Sequence, residues 1–187
     1  MSEPITLAPG LAWALGQIED DSSSQGQRRR GPDPRITLRE WMNNGARTRL
    51  GRMVINGEIT TFEQAVSSRL PIREPEIVDA FFQPNLFVEM IGRPRRIQRM
   101  TDSGQRTRFN VMVVVGNKNG VVGLATSKGK EVAATIQKAT NQAKLNMITV
   151  RRGNGSWESG GGPGRSVPMK ITGRAGSTRI TLMPAPT

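Results

Sequence analysis

The chain has 187 residues, which is enough for one ordinary domain or two small ones. Hydrophobic residues make up 35%, which favours small folded units joined by polar segments over one large core. The net charge is +12 and is unevenly spread: residues 1–89 carry 10 basic and 12 acidic side chains, whereas residues 90–187 carry 17 and three. Such an imbalance indicates a polyanionic partner.

Two residue types are missing, and their absence excludes several kinds of site. Without Cys there is no disulfide and no thiolate ligand, and without His there is no Ser-His-Asp triad and no imidazole ligand. We therefore expect no catalytic residue, no metal and no cofactor. No apolar run approaches the ~20 residues of a membrane span, and the first residues lack the basic start of a secretory signal, so we expect a soluble intracellular protein without a membrane partner.

The first half of the chain predicts a tail and a helical extension. Residues 1–36 are rich in Ser, Gly, Pro and Arg and predict a flexible tail, in which Arg28–Arg30 either contact phosphates or are simply solvated. Residues 37–91 predict a packing module of short helices. Thr60 with Glu63, or Thr61 with Gln64, has the spacing of a capping box, and Pro75 is placed to begin a helix. Glu74 and Glu76 are interpreted as exposed surface charges.

Residues 92–152 predict a small α+β domain. Three strands are expected at 95–100, 106–115 and 121–126, with Asn119-Gly120 as a hairpin turn, forming a three-stranded meander. A helix is expected over residues 130–148, with an apolar stripe facing the sheet and its lysines facing outward. This β-β-β-α order is the skeleton of double-stranded-RNA-binding domains.

Residues 153–187 predict a Gly-rich linker and a hairpin. Two alternating strands are expected within residues 166–183, with Val167, Met169 and Ile171 on one face and Ile180 and Leu182 on another. A lone hairpin is at best marginally stable, so we expect this segment to open a truncated second α/β domain.

The basic side chains of the second half are the candidate nucleic-acid-binding residues. Asp102 and Glu131 are the only acids between residues 90 and 157, whereas a merely solvated face would mix signs. Guanidinium groups bind phosphate at two points, and the scarcity of aromatic residues argues against a base-stacking platform. The predicted RNA-binding set is Arg95, Arg96, Arg99, Gly104, Arg106, Arg108, Lys118, Lys128, Lys130, Lys138, Lys144, Arg151 and Arg152.

Two other classes of function fit the sequence poorly. A phosphate-binding loop fails because Gly129-Lys130 is followed by Glu131 where Ser or Thr is needed. An enzyme has only the adjacent Ser127-Lys128 as a formal dyad. A free regulator that binds double-stranded RNA remains the alternative.

Several segments together resemble a known family. GQRTRFNVMVVVGNKNGVVGLATSKGKEVAATIQKATNQAKLNMI is similar to the signature region of the small-subunit ribosomal protein five family, including the Gly116-x-x-x-Gly120-x-x-Gly123 spacing. RTRLGRMV, LPIREPEIVD, VPMKITGRAGS and LMPAP resemble its archaeal and eukaryotic branch.

The resemblance implies a structural role in the cytoplasmic ribosome. It implies binding to small-subunit rRNA, with small-subunit proteins four and eight, and also three, as neighbours. It further implies a position near the path by which mRNA enters and a contribution to decoding accuracy. The turn of residues 100–106 would approach rRNA at the neck of the subunit.

Overall fold

A computed structural model describes residues 7–16, 34–150, 152–153 and 166–185. Within these residues the chain forms a module of short helices, an antiparallel sheet covered by one helix, and a separate two-stranded hairpin. The expected mixture of helix and sheet is confirmed.

The helical module contains α1 (Pro9–Ala14), α2 (Pro34–Asn44), α3 (Arg49–Ile55), α4 (Phe62–Ser67) and α5 (Pro75–Phe82). Residues 7–16 differ from the predicted tail, because α1 buries Leu11 completely and leaves Trp13 only 3% exposed. This apolar run packs against α2 and α5, and the burial of its apolar surface stabilises the helix although the sequence that follows is polar. Residues 17–33, with Arg28–Arg30, lie outside the described part.

The helix starts follow local side-chain chemistry. Of the two predicted capping boxes, Thr61 with Gln64 is the one that forms, and the Thr61 hydroxyl accepts from the Gln64 backbone N–H. The hydroxyl of Thr48 caps α3 in the same way, by accepting from the backbone N–H of Gly51. Pro75 occupies the first turn of α5, as expected.

Glu74 joins three segments of the helical module. Its carboxylate accepts hydrogen bonds from Trp41 Nε1 and from the backbone N–H of Thr48, both at 2.7 Å, and only 9% of the residue is exposed. The prediction that Glu74 is an exposed surface charge is therefore wrong. Its sequence position just before a helix does not reveal that two donors converge on it.

The sheet contains β1 (Phe87–Met90), β2 (Arg95–Thr101), β3 (Gly104–Gly116), β4 (Val121–Gly129) and β5 (Met147–Thr149), all antiparallel. The three predicted strands are confirmed as β2, β3 and β4. However, β1 falls in the predicted helical extension, and β5 takes Met147 and Ile148 from the predicted helix. β1 and β2 run in the same direction along one edge of the long β3 and pair with its opposite ends. The pairing is interrupted at residues 91–94, where Gly92 has a φ of 70°.

Helix α6 (Val132–Leu145) covers one face of this sheet. Val111, Val113 and Val115 of β3 are 0–2% exposed beneath it, and Ala139 and Ala143 are fully buried on the helix side. Gly123 of β4 lies so close to the helix that a Cβ there would collide with the carbonyl oxygen of Ala143. This glycine has a packing role inside the domain.

The hairpin consists of β6 (Ile171–Ala175) and β7 (Thr178–Leu182), and every residue of both strands is exposed. Ile171 pairs with Leu182, and Gly173 pairs with Ile180. Because cross-strand partners point to the same face, the apolar residues Ile171, Ile180 and Leu182 share one face. The prediction of two separate apolar faces is therefore wrong, and Val167 and Met169 precede the strands.

Candidate nucleic-acid interface

The two faces of the five-stranded sheet differ because successive strand residues point to opposite sides. In β3 the odd-numbered residues from Val111 to Val115 face α6, and the even-numbered residues face away from it. We call the side away from α6 the open face. Helix α6 packs on the opposite side of the sheet, and the basic side chains of the open face are exposed and available to a partner.

Five predicted RNA-binding residues converge on the open face and form what we call the cationic cluster. They come from three adjacent strands and are all exposed: Arg95, Arg99, Arg106, Arg108 and Lys128. The register aligns them across the strands, with Arg99 opposite Arg106 and both Arg95 and Lys128 beside Asn110. Alternation within each strand therefore gathers cations that are up to 33 positions apart in the sequence.

The cationic cluster concentrates like charges on one surface of the sheet. Like charges directly opposite each other destabilise a strand pair, by roughly 0.2–1 kcal/mol for a single pair. None of the cluster's residues forms an ion pair with a described acid. The cluster borders a groove of about 490 Å³ that also includes Ile97, Met100 and the acid Asp102. An external polyanion would relieve this repulsion.

Asn110 is a residue of this surface that the sequence reasoning missed. It lies in the middle of the cationic cluster, and its Oδ1 atom is buried without a hydrogen-bond partner. Its amide nitrogen is a hydrogen-bond donor like the flanking cations, whereas its buried oxygen is not accessible to an external ligand. Its even-numbered position among Arg106 and Arg108 is the signal that could have identified it.

The other end of the open face is largely apolar, and it also carries the exposed acid Glu89 of β1, opposite Val114. Phe87, Met112, Leu124 and Ile148 are all on this side and are between 38% and 62% exposed. The open face therefore has a cationic half near the β2–β3 turn and an apolar half near the β3–β4 turn.

Several predicted residues lie away from the cationic cluster. Arg96 pairs with Phe109 and so points to the α6 side of the sheet. Lys130 is exposed just before α6, and Lys138 is exposed on that helix. Arg151 lies outside the described residues.

Lys118 and Arg152 meet at the opposite end of the sheet. The Lys118 ammonium lies 4.1 Å from the centre of the Phe87 ring, and the Arg152 guanidinium donates to the carbonyl oxygen of Lys118 at 2.6 Å. These contacts order the β3–β4 turn, in which Asn117 Oδ1 accepts from two backbone N–H groups. Both cations are engaged within the protein, although their charges still face outward.

Lys144 forms an ion pair with Asp79 inside the protein and is not exposed on the outer side of α6. Its Nζ atom lies 2.7 Å from Oδ2 of Asp79 in α5, and the two side chains are 13% and 9% exposed. The prediction that Lys144 faces outward with Lys138 is wrong, because the helical module covers that side of α6. We therefore remove Lys144 from the candidate interface.

Gly104 closes the turn between β2 and β3. Its φ of +113° is a conformation that side-chain-bearing residues rarely adopt, and its carbonyl oxygen accepts from the Thr101 hydroxyl at 2.7 Å. The turn therefore holds Arg99 and Arg106 at the same level of the sheet. Its role here is to fix the geometry of the cationic cluster.

The formal Ser127-Lys128 dyad cannot form. Ser127 is 4% exposed and lies on the α6 side, whereas Lys128 is exposed on the open face. Neighbouring strand residues point in opposite directions, so the hydroxyl and the ammonium are separated by the sheet. The groove beside Lys128 does not include Ser127.

Comparisons with known proteins match the region that carries the cationic cluster. The sequence profile described as "Ribosomal protein S5, N-terminal domain" matches residues 91–151. "Small ribosomal subunit protein uS5" of Methanothrix thermoacetophila is 47% identical over 147 residues, which cover 79% of this chain and 70% of the relative. The chain belongs to the ribosomal protein S5 family.

Further relatives extend the match within the S5 family. The uS5 protein of Methanospirillum hungatei is 51% identical over 139 residues, covering 74% of this chain and 67% of the relative. That of Methanocaldococcus jannaschii is 48% identical over 152 residues, covering 81% and 68%. The matched part thus spans about two thirds of these relatives. Membership in this family confirms the expected archaeal type of ribosomal protein and excludes the hypothesis of an enzyme.

In the described residues no helix is both long and apolar enough to span a bilayer.

Proposed function

We propose that this S5-family protein helps to build the small ribosomal subunit by binding rRNA through the open face of its sheet. The observation that carries the proposal is the convergence of five cations from three strands on one uncovered surface. Arginine and lysine bind phosphate oxygens, and release of counterions from RNA drives the association.

The shape of the surface supports backbone recognition over base reading. The cationic half has no aromatic side chain among its residues, so bases have no ring on which to stack. Guanidinium groups on rigid, hydrogen-bonded strands are held at fixed spacing, which suits a folded RNA whose phosphates are also fixed. The β2-β3-β4-α6 order, like that of double-stranded-RNA readers, agrees with recognition of RNA shape.

The finer part of the proposal comes from the family resemblance. We infer that the protein lies in the cytoplasmic ribosome beside small-subunit proteins four and eight, with protein three as a further neighbour. We also infer a position near the path of incoming mRNA and a contribution to decoding accuracy. The exposed turn at residues 100–106, with Met100 71% exposed, is suited to approach rRNA of the subunit neck.

The proposal is tested by reversing charge within the cationic cluster. Cells or extracts that contain tagged protein with Arg106→Glu and Arg108→Glu are fractionated on a sucrose gradient. We expect the wild type to sediment with small subunits and at least a tenfold smaller share of the variant to do so, because two phosphate contacts become repulsions.

The matched control reverses two exposed arginines of the helical module, Arg49→Glu and Arg73→Glu, which changes the net charge equally. Equal loss in both variants would show that the total charge matters and the cationic cluster does not. A wild-type protein that stays in the subunit-free fraction would instead support the free regulator of double-stranded RNA.

A further inference from the structure

The hairpin of β6 and β7 carries a second group of cations, far along the chain from the cationic cluster. Residues 166–185 include Lys170, Arg174 and Arg179 and contain no acid. The register places Arg174 directly opposite Arg179, and Thr172 directly opposite Thr181. These four side chains share one face, and the apolar residues Ile171, Ile180 and Leu182 occupy the other.

The paired arginines repeat the arrangement found in the cationic cluster. There Arg99 lies directly opposite Arg106, and here Arg174 lies directly opposite Arg179. Opposed like charges weaken a two-stranded hairpin, which is already marginal on its own. No described acid forms an ion pair with either residue. An uncompensated pair on so small an element indicates a ligand that supplies the negative charge.

The hydrogen-bonding groups on this face are suited to a phosphodiester. Arg174 Nε donates to the carbonyl oxygen of Gly176 at 3.0 Å, which holds the guanidinium over the turn and leaves its terminal nitrogens free to bind. The hydroxyls of Thr172 and Thr181 lie 3.4 Å apart beside the two arginines. Planar guanidinium donors with neighbouring hydroxyls can contact two oxygens of one phosphate.

We propose that the face formed by Thr172, Arg174, Arg179 and Thr181 is a second RNA-backbone site. This inference rests on the proposed function, because it assumes that the partner of the cationic cluster is also RNA. The site lies outside the matched residues 91–151, so it is not part of the family's N-terminal domain. Two sites on one chain would raise the overall affinity for a folded RNA that spans both.

The test measures binding of the full chain to naked small-subunit rRNA over a range of salt concentrations. In Arg174→Ala with Arg179→Ala we expect at least a threefold weaker affinity. We also expect the slope of log K against log salt to become shallower by about 1.4–1.8, as for two lost phosphate contacts. The control is Arg49→Ala with Arg73→Ala, which removes equal charge from exposed positions of the helical module.

The outcomes separate this site from the proposed function. Failure of the wild type to bind rRNA would overturn the proposed function itself. Tight binding by the wild type, with an unchanged slope in the hairpin variant, would overturn only the hairpin site. Circular dichroism of the variant checks that strand content is kept.

Discussion

The two faces of one sheet have opposite composition although they are built from the same strands. On the side of α6, Val111, Val113 and Val115 are almost fully buried. On the open face, the intervening and neighbouring residues of the same strand are Arg108, Asn110 and Met112. Because successive side chains of a strand alternate between the two faces, the same strands form a hydrophobic core on one face and a cationic surface on the other. We expect substitutions on the first face to change stability and those on the second to change RNA binding.

The largest contrast is expected between neighbouring residues of β3. Val113→Asp puts a carboxylate at a fully buried position without a partner, and we expect it to cost roughly 4 kcal/mol or more of unfolding free energy. Met112→Asp, one residue earlier but 38% exposed on the open face, should cost less than about 1 kcal/mol. Chemical denaturation of both variants measures the difference. Equal destabilisation would contradict the assignment of faces.

A second contrast compares the paired lysine of α6, Lys144, with the exposed lysine Lys138, and it tests the first by removing its partner Asp79. Asp79→Ala leaves the largely buried Lys144 without its partner, and we expect a loss of about 3–5 kcal/mol in the free energy of unfolding. Lys138→Ala, on the exposed side of the same helix, should change that free energy by less than about 0.5 kcal/mol. Thermal unfolding compares them. A small effect of Asp79→Ala would show that the helical module is not fastened to α6 through this pair.

The smallest contrast uses adjacent arginines of β2. Arg95 faces the open side and Arg96 faces the α6 side. We expect Arg95→Ala to weaken rRNA affinity roughly three- to fivefold, or by about 0.7–1 kcal/mol, and Arg96→Ala to weaken it less. Filter binding at fixed salt measures both. An equal or larger effect of Arg96→Ala would contradict an interface confined to the open face.

The elements of the sheet domain could be predicted from the sequence because local signals are strong there. Alternation and β-branched runs identify β2, β3 and β4, and Asn119-Gly120 marks their hairpin turn. The capping box at Thr61 is likewise one of the two that residue spacing predicts. In each case the structure is formed by interactions between residues close in the sequence, such as the turn and the helix cap, and the sequence pattern reports these same interactions.

Long-range contacts could not be predicted in this way. β1 and β5 are only four and three residues long, and they become strands because they pair with β3 and β4. The helical angle of Lys144 predicts an outward side chain, but its partner Asp79 lies 65 positions earlier in the chain, where helical periodicity gives no information. The cations were identified by charge, but their separation into an open face and a covered side depends on where α6 packs.

The central claim is tested most directly by single-cysteine probes in assembled small subunits, since the chain has no native Cys. Iron chelates attached at Thr126→Cys, on the open face, and at Gln137→Cys, exposed on α6, generate hydroxyl radicals that cut nearby RNA. The account predicts strong rRNA cleavage from position 126 and weaker cleavage from position 137. Assembled subunits in which position 126 gives no cleavage, while position 137 cuts strongly, would contradict it.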